Sequence, residues 1–286
     1  MPRPSERQLR DELIKFSHLT YERHLLVAMD GNLSVRLSDD LILCTQAGCH
    51  KGLLTDDQIV VIDMSGTKVR GKGEPTSEMA MHLACYRERP DVESVVHAHP
   101  PTCIAFTVAG VSMARCVLPE VVLTLGAVPT LPYETTGTQT LAVKVGEAIR
   151  SHDGVMMDRH GAVCVGASVL EAFCKLETME HTAKIMRDAR ALGGIRDLPP
   201  EESVKLRRMG LKRYGGPPQS VAMADEPAAD LPIACIDCSG CGNPSDEGIA
   251  ASAGFSISRI TNSAIIPQTQ SQLEREIRRA IADHLQ

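Results

Sequence analysis

Three histidines and one carboxylate carry the strongest chemical signal in the chain. His97 and His99 stand two apart in Val95-Val96-His97-Ala98-His99-Pro100. In an extended strand, residues i and i+2 share a face, so both imidazoles can reach one metal ion. His160, in Asp158-Arg159-His160-Gly161 between two apolar runs, offers a third ligand. Three neutral imidazoles leave an open position on zinc, the arrangement of a catalytic rather than a closed structural site. The competing explanation is a coincidence of surface residues, and the spacing alone does not choose. His18, His24, His50, His82, His152, His181 and His284 lack such spacing and read as structural or surface residues.

Glu78 sits in Pro75-Thr76-Ser77-Glu78, ahead of a helical pattern. As a plain structural residue it is a carboxylate favoured by the helix dipole, with Thr76 or Ser77 as the cap. Beside a metal it is a proton-transferring group. Two polar turns suit an anion: Gly31-Asn32-Leu33-Ser34, and Thr45-Gln46-Ala47-Gly48 followed by His50-Lys51-Gly52. Backbone N–H groups at glycine turns, hydroxyls and the Thr76/Ser77 helix terminus all bind phosphate well. No Walker or GxGxxG signature accompanies them.

The elements that must position these groups follow from periodicity. Arg7 to about Met29 keeps a helical period through Leu9, Leu13 and Phe16. Leu33–Leu37, Leu41–Thr45, Ile59–Asp63 and Lys68–Val69 read as short strands. A helix opens at Pro75–Glu78, and Val92–Ala98 reads as a buried strand. Thr102–Val108 reads as a short helix, Val121–Val122 and Ala127–Leu131 as strand-like, and Thr138–Ser151 as a helix. Val155–Asp158 and Val163–Val165 read as strands and Ser168–Leu192 as a long helix. Short turns between strands favour an α/β fold with a mixed or largely antiparallel sheet over regular crossovers.

Composition bounds the function. The 286 residues are 43% hydrophobic and carry a formal charge of −6, with four Phe, four Tyr and no Trp. A phosphate-backbone binder or base-stacking platform is excluded, so no nucleic-acid partner is expected. Ten cysteines are too dilute for a disulfide scaffold. The longest apolar run, Val121–Leu131, is far short of the roughly 20 residues that span a bilayer. No membrane association and a cytoplasmic location are expected.

Composition shifts at Gly215-Gly216-Pro217-Pro218. Residues 1–214 read as one catalytic body, 215–270 as a flexible linker and 271–286 as an amphipathic helix with Leu273, Ile277, Ala280, Ile281 and Leu285 in one stripe. The linker holds Cys235, Cys238 and Cys241 in a C-x2-C-x2-C run without an evident fourth ligand. Linker plus terminal helix resembles the encapsulation peptides of bacterial microcompartment cargo, which implies a shell-protein partner.

Taken in order, the segments from about residue 7 to residue 214 resemble the class II aldolase/adducin family, specifically its zinc-dependent fuculose-phosphate aldolase branch. The resemblance rests on Gly31–Ser34, Thr45–Gly48, Asp63-Met64-Ser65-Gly66, Pro75–Glu78, His97–Pro100 and Arg159-His160-Gly161. It implies an α/β/α sandwich with a mostly antiparallel central sheet, and a homotetramer with intersubunit active sites. It also implies Zn²⁺ on His97, His99 and His160, with Glu78 as the catalytic acid/base. Asn32, Ser34, Thr45, Gly48, Thr76 and Ser77 fall in the segments that hold the substrate phosphate and its neighbouring oxygens. The implied reaction is retro-aldol cleavage of a ketose 1-phosphate, L-fuculose or L-rhamnulose 1-phosphate, to dihydroxyacetone phosphate and lactaldehyde.

Two departures stand out. Ala47 lacks the hydroxyl that the family often carries there, and Lys51 is the nearby residue able to compensate. Leu118–Leu123 lacks the tyrosine that family aldolases contribute from a neighbouring subunit, leaving Tyr133 and Tyr214 as proton-donor candidates. Pentulose-phosphate 4-epimerases, sugar-phosphate dehydratases and decarboxylases share the scaffold, as does the non-enzymatic adducin head. The epimerases tend to carry Asp at the Glu78 position.

Overall fold

A computed structural model describes residues 3–218. The C-x2-C-x2-C run, the expected linker from residue 219 onward and the expected terminal helix lie outside the described residues. Seven α-helices and eight strands are described: α1 Glu6–Glu22, β1 Asn32–Arg36, β2 Leu41–Thr45, β3 Ile59–Asp63, β4 Lys68–Arg70, α2 Met79–Glu88, β5 Ser94–Ala98, α3 Pro101–Val108, α4 Pro119–Thr124, β6 Thr130–Leu131, α5 Gln139–Ile149, β7 Gly154–Met157, β8 Gly161–Gly166, α6 Val169–Ala191 and α7 Pro200–Tyr214. Short 3₁₀ turns at Lys51–Leu53 and Asp56–Gln58 join β2 to β3.

The strands form one sheet in the order β4-β3-β2-β1-β5-β8-β7-β6. Every pair is antiparallel except β6 with β7. Both faces are covered, which is why the strands read as continuous apolar runs. Leu33, Val35, Val96 and Ala98 join α1, α3, α4 and α6 in one core. Their alternating neighbours Val95, Val163 and Val165 join α2 and α5 in the other. The α/β/α sandwich expected from the sequence is therefore present.

The register positions the histidines. β1 pairs with β5 so that Asn32 faces His97, and β5 pairs with β8 so that Ala98 faces Ala162. The β7–β8 turn then delivers His160 beside the end of β5. Two glycines permit this convergence. A Cβ on Gly161 would lie 2.4 Å from the Ala98 carbonyl oxygen, and one on Gly31 2.7 Å from the His97 carbonyl oxygen. Gly31 also has φ +65°.

Four local expectations change. Helix α1 stops at Glu22, not near Met29. His24 and Ala28 take positive φ, and buried Leu25 and Leu26 continue the apolar pattern in a loop. That loop matters, because the Leu25 carbonyl accepts the His99 N–H. Val121–Val122 lies in helix α4, not a strand, because Pro119 pre-sets the first helical position and overrides β-branched propensity. Of Ala127–Leu131, only Thr130–Leu131 pairs in the sheet. Helix α7, with charges on most of its surface, has no counterpart in the sequence reading.

Candidate active site

The three imidazoles converge. Their ligand atoms lie within 4.8 Å of one another, and the Nε2 atoms of His97 and His99 are 3.2 Å apart. His97 Nδ1 is 2.9 Å from the Ala162 carbonyl, which can only accept, so Nδ1 carries the proton and Nε2 keeps its lone pair. His99 Nδ1 likewise faces the Asp30 carboxylate at 3.2 Å. Two lone pairs thus point at each other across a separation close to the roughly 3.3 Å edge of a tetrahedral zinc–imidazole site. They repel unless a cation lies between them. His160 Nδ1 is buried without a hydrogen-bond partner. The donor set fits a divalent metal, with the Ala162 carbonyl and Asp30 fixing ring orientation from behind.

Glu78 closes the cluster. It is the residue preceding the first turn of α2, but its side chain makes no capping bond, and neither Thr76 nor Ser77 is the cap. The carboxylate instead turns to the histidines. Oε2 is 3.1 Å from His97 Nε2, Oε1 is 3.2 Å from His160 Nε2, and Asn32 Nδ2 donates to Oε2 at 2.9 Å. Burial pushes this carboxyl up. The neighbouring His97 and His160 rings and the hydrogen bond from Asn32 outweigh burial and hold it well below the usual carboxylate range. Burial also pushes the His99 imidazole down to about 4, reinforced by His97 and His160.

A cavity of about 370 Å³ opens over the cluster, lined by Asn32, Gly48, Thr76, Ser77, Glu78, His99 and His160 among others. Thr76 and Ser77 therefore face the same space as the histidines, as does Gly48 at φ +67°. Ser34 and Thr45 do not line it. Ser34 Oγ bonds His82 Nδ1 and Tyr86 OH, and Thr45 Oγ1 accepts the Leu33 N–H. Tyr133 is exposed and packs on Arg159, beside His160, while Tyr214 is exposed at the end of α7; neither lines the cavity.

Sequence reasoning missed Asp30, Thr136 and Gly137, which also line the cavity. Asp30 had one usable signal, its place beside the Gly31-Asn32 turn. Lys51 lies in the wall, 2% exposed. Its ammonium donates to the carbonyls of Met29 at 3.0 Å and Cys49 at 2.7 Å. Burial pushes its pKa down, opposed by Cys49, Asp30 and Glu78. Among the described residues, it is the one Lys or Arg that lines the cavity.

An imidazole triad with a carboxylate poised across it and a hydroxyl- and lysine-lined cavity above has the donors to hold a divalent metal and the groups to meet an anion. The sequence matches the model of the class II aldolase and adducin N-terminal domain over residues 11–187, and the chain belongs to that family. It is a class II aldolase, a lyase. It is 36% identical over 174 residues to an L-fuculose phosphate aldolase of Methanococcus vannielii, covering 61% of this chain and 93% of that one. It is 30% identical over 210 residues to a 3-oxo-tetronate 4-phosphate decarboxylase of Cupriavidus necator, covering 71% and 96%. The L-fuculose-1-phosphate aldolase of Thermus thermophilus superposes with a TM-score of 0.60 at 28% identity, covering 65% and 96%. Among the described residues, no helix is long and apolar enough to cross a membrane.

Proposed function

We propose that this protein cleaves a ketose 1-phosphate, L-fuculose 1-phosphate in the first instance, to dihydroxyacetone phosphate and lactaldehyde, with zinc on His97, His99 and His160. The observation that carries the reading is Glu78 spanning His97 and His160 at the base of a cavity that also holds Lys51, Thr76 and Ser77. When bound, the metal supplies Lewis-acid charge that stabilises the negative charge developing on a substrate carbonyl oxygen. The chain's own groups do the rest. Lys51, the Thr76 and Ser77 hydroxyls and the backbone at Gly48 hold the phosphate. The hydroxyl next to the scissile bond gives its proton to water in the cavity, the C–C bond breaks with its electron pair going to the carbonyl side, and the aldehyde forms. Glu78, ionised at rest, takes up one proton from water and delivers it to the carbon left with the electron pair, so one proton is lost and one gained. A homotetramer accompanies this reading, and light scattering on the full-length protein measures it.

The Cupriavidus relative favours a second reading, decarboxylation of a 3-oxo acid phosphate. It needs the same charge stabilisation and the same protonation, with CO₂ as the leaving fragment. One assay separates the two. The zinc-loaded protein is given L-fuculose, L-rhamnulose and L-ribulose phosphates and a 3-oxo-tetronate 4-phosphate, and aldehyde and CO₂ are followed together. Aldehyde release from a ketose phosphate supports the first reading; CO₂ release with no aldehyde replaces it with the second.

A further inference from the structure

Behind Glu78 lies a continuous line of buried polar groups that the chemistry above does not use. Asn32 and Ser34 stand two apart on β1, and His82 and Tyr86 stand four and eight residues after Glu78 along α2. The two sets interleave. The Tyr86 hydroxyl is 2.8 Å from Ser34 Oγ, Ser34 Oγ 2.7 Å from His82 Nδ1, His82 Nε2 2.6 Å from Asn32 Oδ1, and Asn32 Nδ2 2.9 Å from Glu78 Oε2. Ser34 and His82 are fully buried and Tyr86 is 1% exposed, so solvent provides no alternative partner.

The direction of every hydrogen is forced. Asn32 donates its NH₂ to Glu78 Oε2, which leaves its carbonyl oxygen for His82 Nε2. A carbonyl only accepts, so His82 Nε2 carries the proton. Burial holds the imidazole neutral, its pKa down to about 3, and Nδ1 is then an acceptor. Ser34 must spend its single hydrogen on Nδ1, and Tyr86 must donate to Ser34. All four donors point the same way, towards Glu78. Such aligned bonds polarise one another.

We propose that the chain Tyr86→Ser34→His82→Asn32 is a one-way hydrogen-bond relay that locks the Asn32 amide against Glu78, making Tyr86, Ser34 and His82 positioning residues for the carboxylate. The proposal rests on reading Glu78 as the proton-transferring group. It predicts effects on turnover from residues that touch neither substrate nor metal. Tyr86 supplies the far end, and removing its hydroxyl weakens the donor facing Glu78 without altering the cavity wall.

The test uses the full-length protein with ¹⁵N-labelled histidine. Two-bond ¹H–¹⁵N couplings assign the tautomer of His82, and the Nε2–H resonance is then compared in the unaltered protein, Tyr86→Phe and Glu78→Gln. Expected are the Nε2–H tautomer and an upfield shift of that resonance in both variants, with metal stoichiometry unchanged. In turnover, Tyr86→Phe is expected to lower kcat about 10-fold with KM little changed. An Nδ1–H tautomer, or a resonance indifferent to both variants, overturns the relay. If Tyr86→Phe does not fold, the tautomer in the unaltered protein and the Glu78→Gln shift still decide. Because neither spectroscopic readout needs turnover, a correct tautomer in a protein inert towards sugar phosphates sinks the aldolase reading and leaves the relay standing.

Discussion

Glu78 holds one carboxylate oxygen 3.2 Å from Nε2 of His160, on the side of its carboxylate away from Asn32. The same side chain therefore meets an imidazole of the histidine triad and a neutral amide at once. A group placed this way can exchange a proton with substrate while its other oxygen stays held. Glu78→Gln preserves shape and removes the titratable oxygen. Metal content should be unchanged and turnover should fall by roughly 10²–10⁴, the usual size of general acid–base catalysis. Elemental analysis beside a steady-state assay checks both; a variant retaining both metal and turnover removes Glu78 from the chemistry.

Asp30 meets the histidine triad through His99 Nδ1, at 3.2 Å. Beside a bound metal it would hold that ring and raise its basicity. Asp30→Asn should weaken divalent-metal affinity by about 10–100-fold. Competition against a chromogenic chelator measures this directly, and unchanged affinity would show that the Leu25 carbonyl and strand β5 orient His99 unaided.

Among the described residues, Lys51 is the one Lys or Arg in the cavity wall, and its ammonium donates to the Met29 and Cys49 carbonyls. The ammonium also meets the Cys49 side chain, and its positive charge in the wall is what a phosphate would meet. Lys51→Met keeps most of the stem and removes the charge. Inorganic phosphate should then inhibit about 10-fold more weakly, KM should rise, and kcat should move less. Two carbonyls lose a donor, at a cost of ~1–3 kcal/mol in stability. Calorimetry of the variant separates that loss from the loss of anion binding.

The parts of this site legible in sequence are those where one element sets the geometry alone. Strand alternation put His97 and His99 on one face and Glu78 stood at the opening of α2, but reading them as one site also took His160 and the ordered set of family motifs. Asp30 and Lys51 were harder, because loops bring them in from 69 and 48 residues away from His99. The relay is an intermediate case. Glu78, His82 and Tyr86 at intervals of four, and Asn32 and Ser34 at an interval of two, are visible spacings. Only the β1–α2 packing shows that they interleave. Ser34 and Thr45 illustrate the reverse: polar residues in a loop-like motif whose side chains turn inward to bond other protein groups.

His82 makes acid stability testable. Burial pushes its pKa down to about 3, with His97 adding to the shift and Glu78 opposing it, from an ordinary value of 6.5. With the folded value depressed, its contribution is complete above about pH 6.5. Between there and pH 3, the unfolded chain binds a proton that the folded chain refuses. Stability should therefore fall with acidity by ~1.4 kcal/mol per pH unit from this group. Urea unfolding at pH 7, 6, 5 and 4 should show a shallower slope, by one proton, in His82→Gln. Equal slopes would mean that His82 titrates alike in both states.

Asp153 organises the charges at the other end of the sheet. It accepts from Arg89 at 3.1 Å and from Lys175 at 2.9 Å, and its side chain is only 3% exposed. Arg89 follows α2 and also donates to the last residue of α5, Ile149; Lys175 belongs to α6. One carboxylate thus ties helices from both layers to the start of β7. Burial pushes the Lys175 pKa down, but Asp153 and Glu171 outweigh it and the net shift is upward. Asp153→Leu strands two buried cations, and breaking such a pair from one side costs about 3–5 kcal/mol. Arg89 keeps Asp91 as a second partner, so Lys175 is the cation left most exposed to that penalty. The double variant Asp153→Leu/Lys175→Met should therefore be more stable than Asp153→Leu alone. Urea midpoints of the single and double variants decide the point: simple additivity of the two losses would mean that Lys175 is satisfied by Glu171 and the Val165 carbonyl without Asp153.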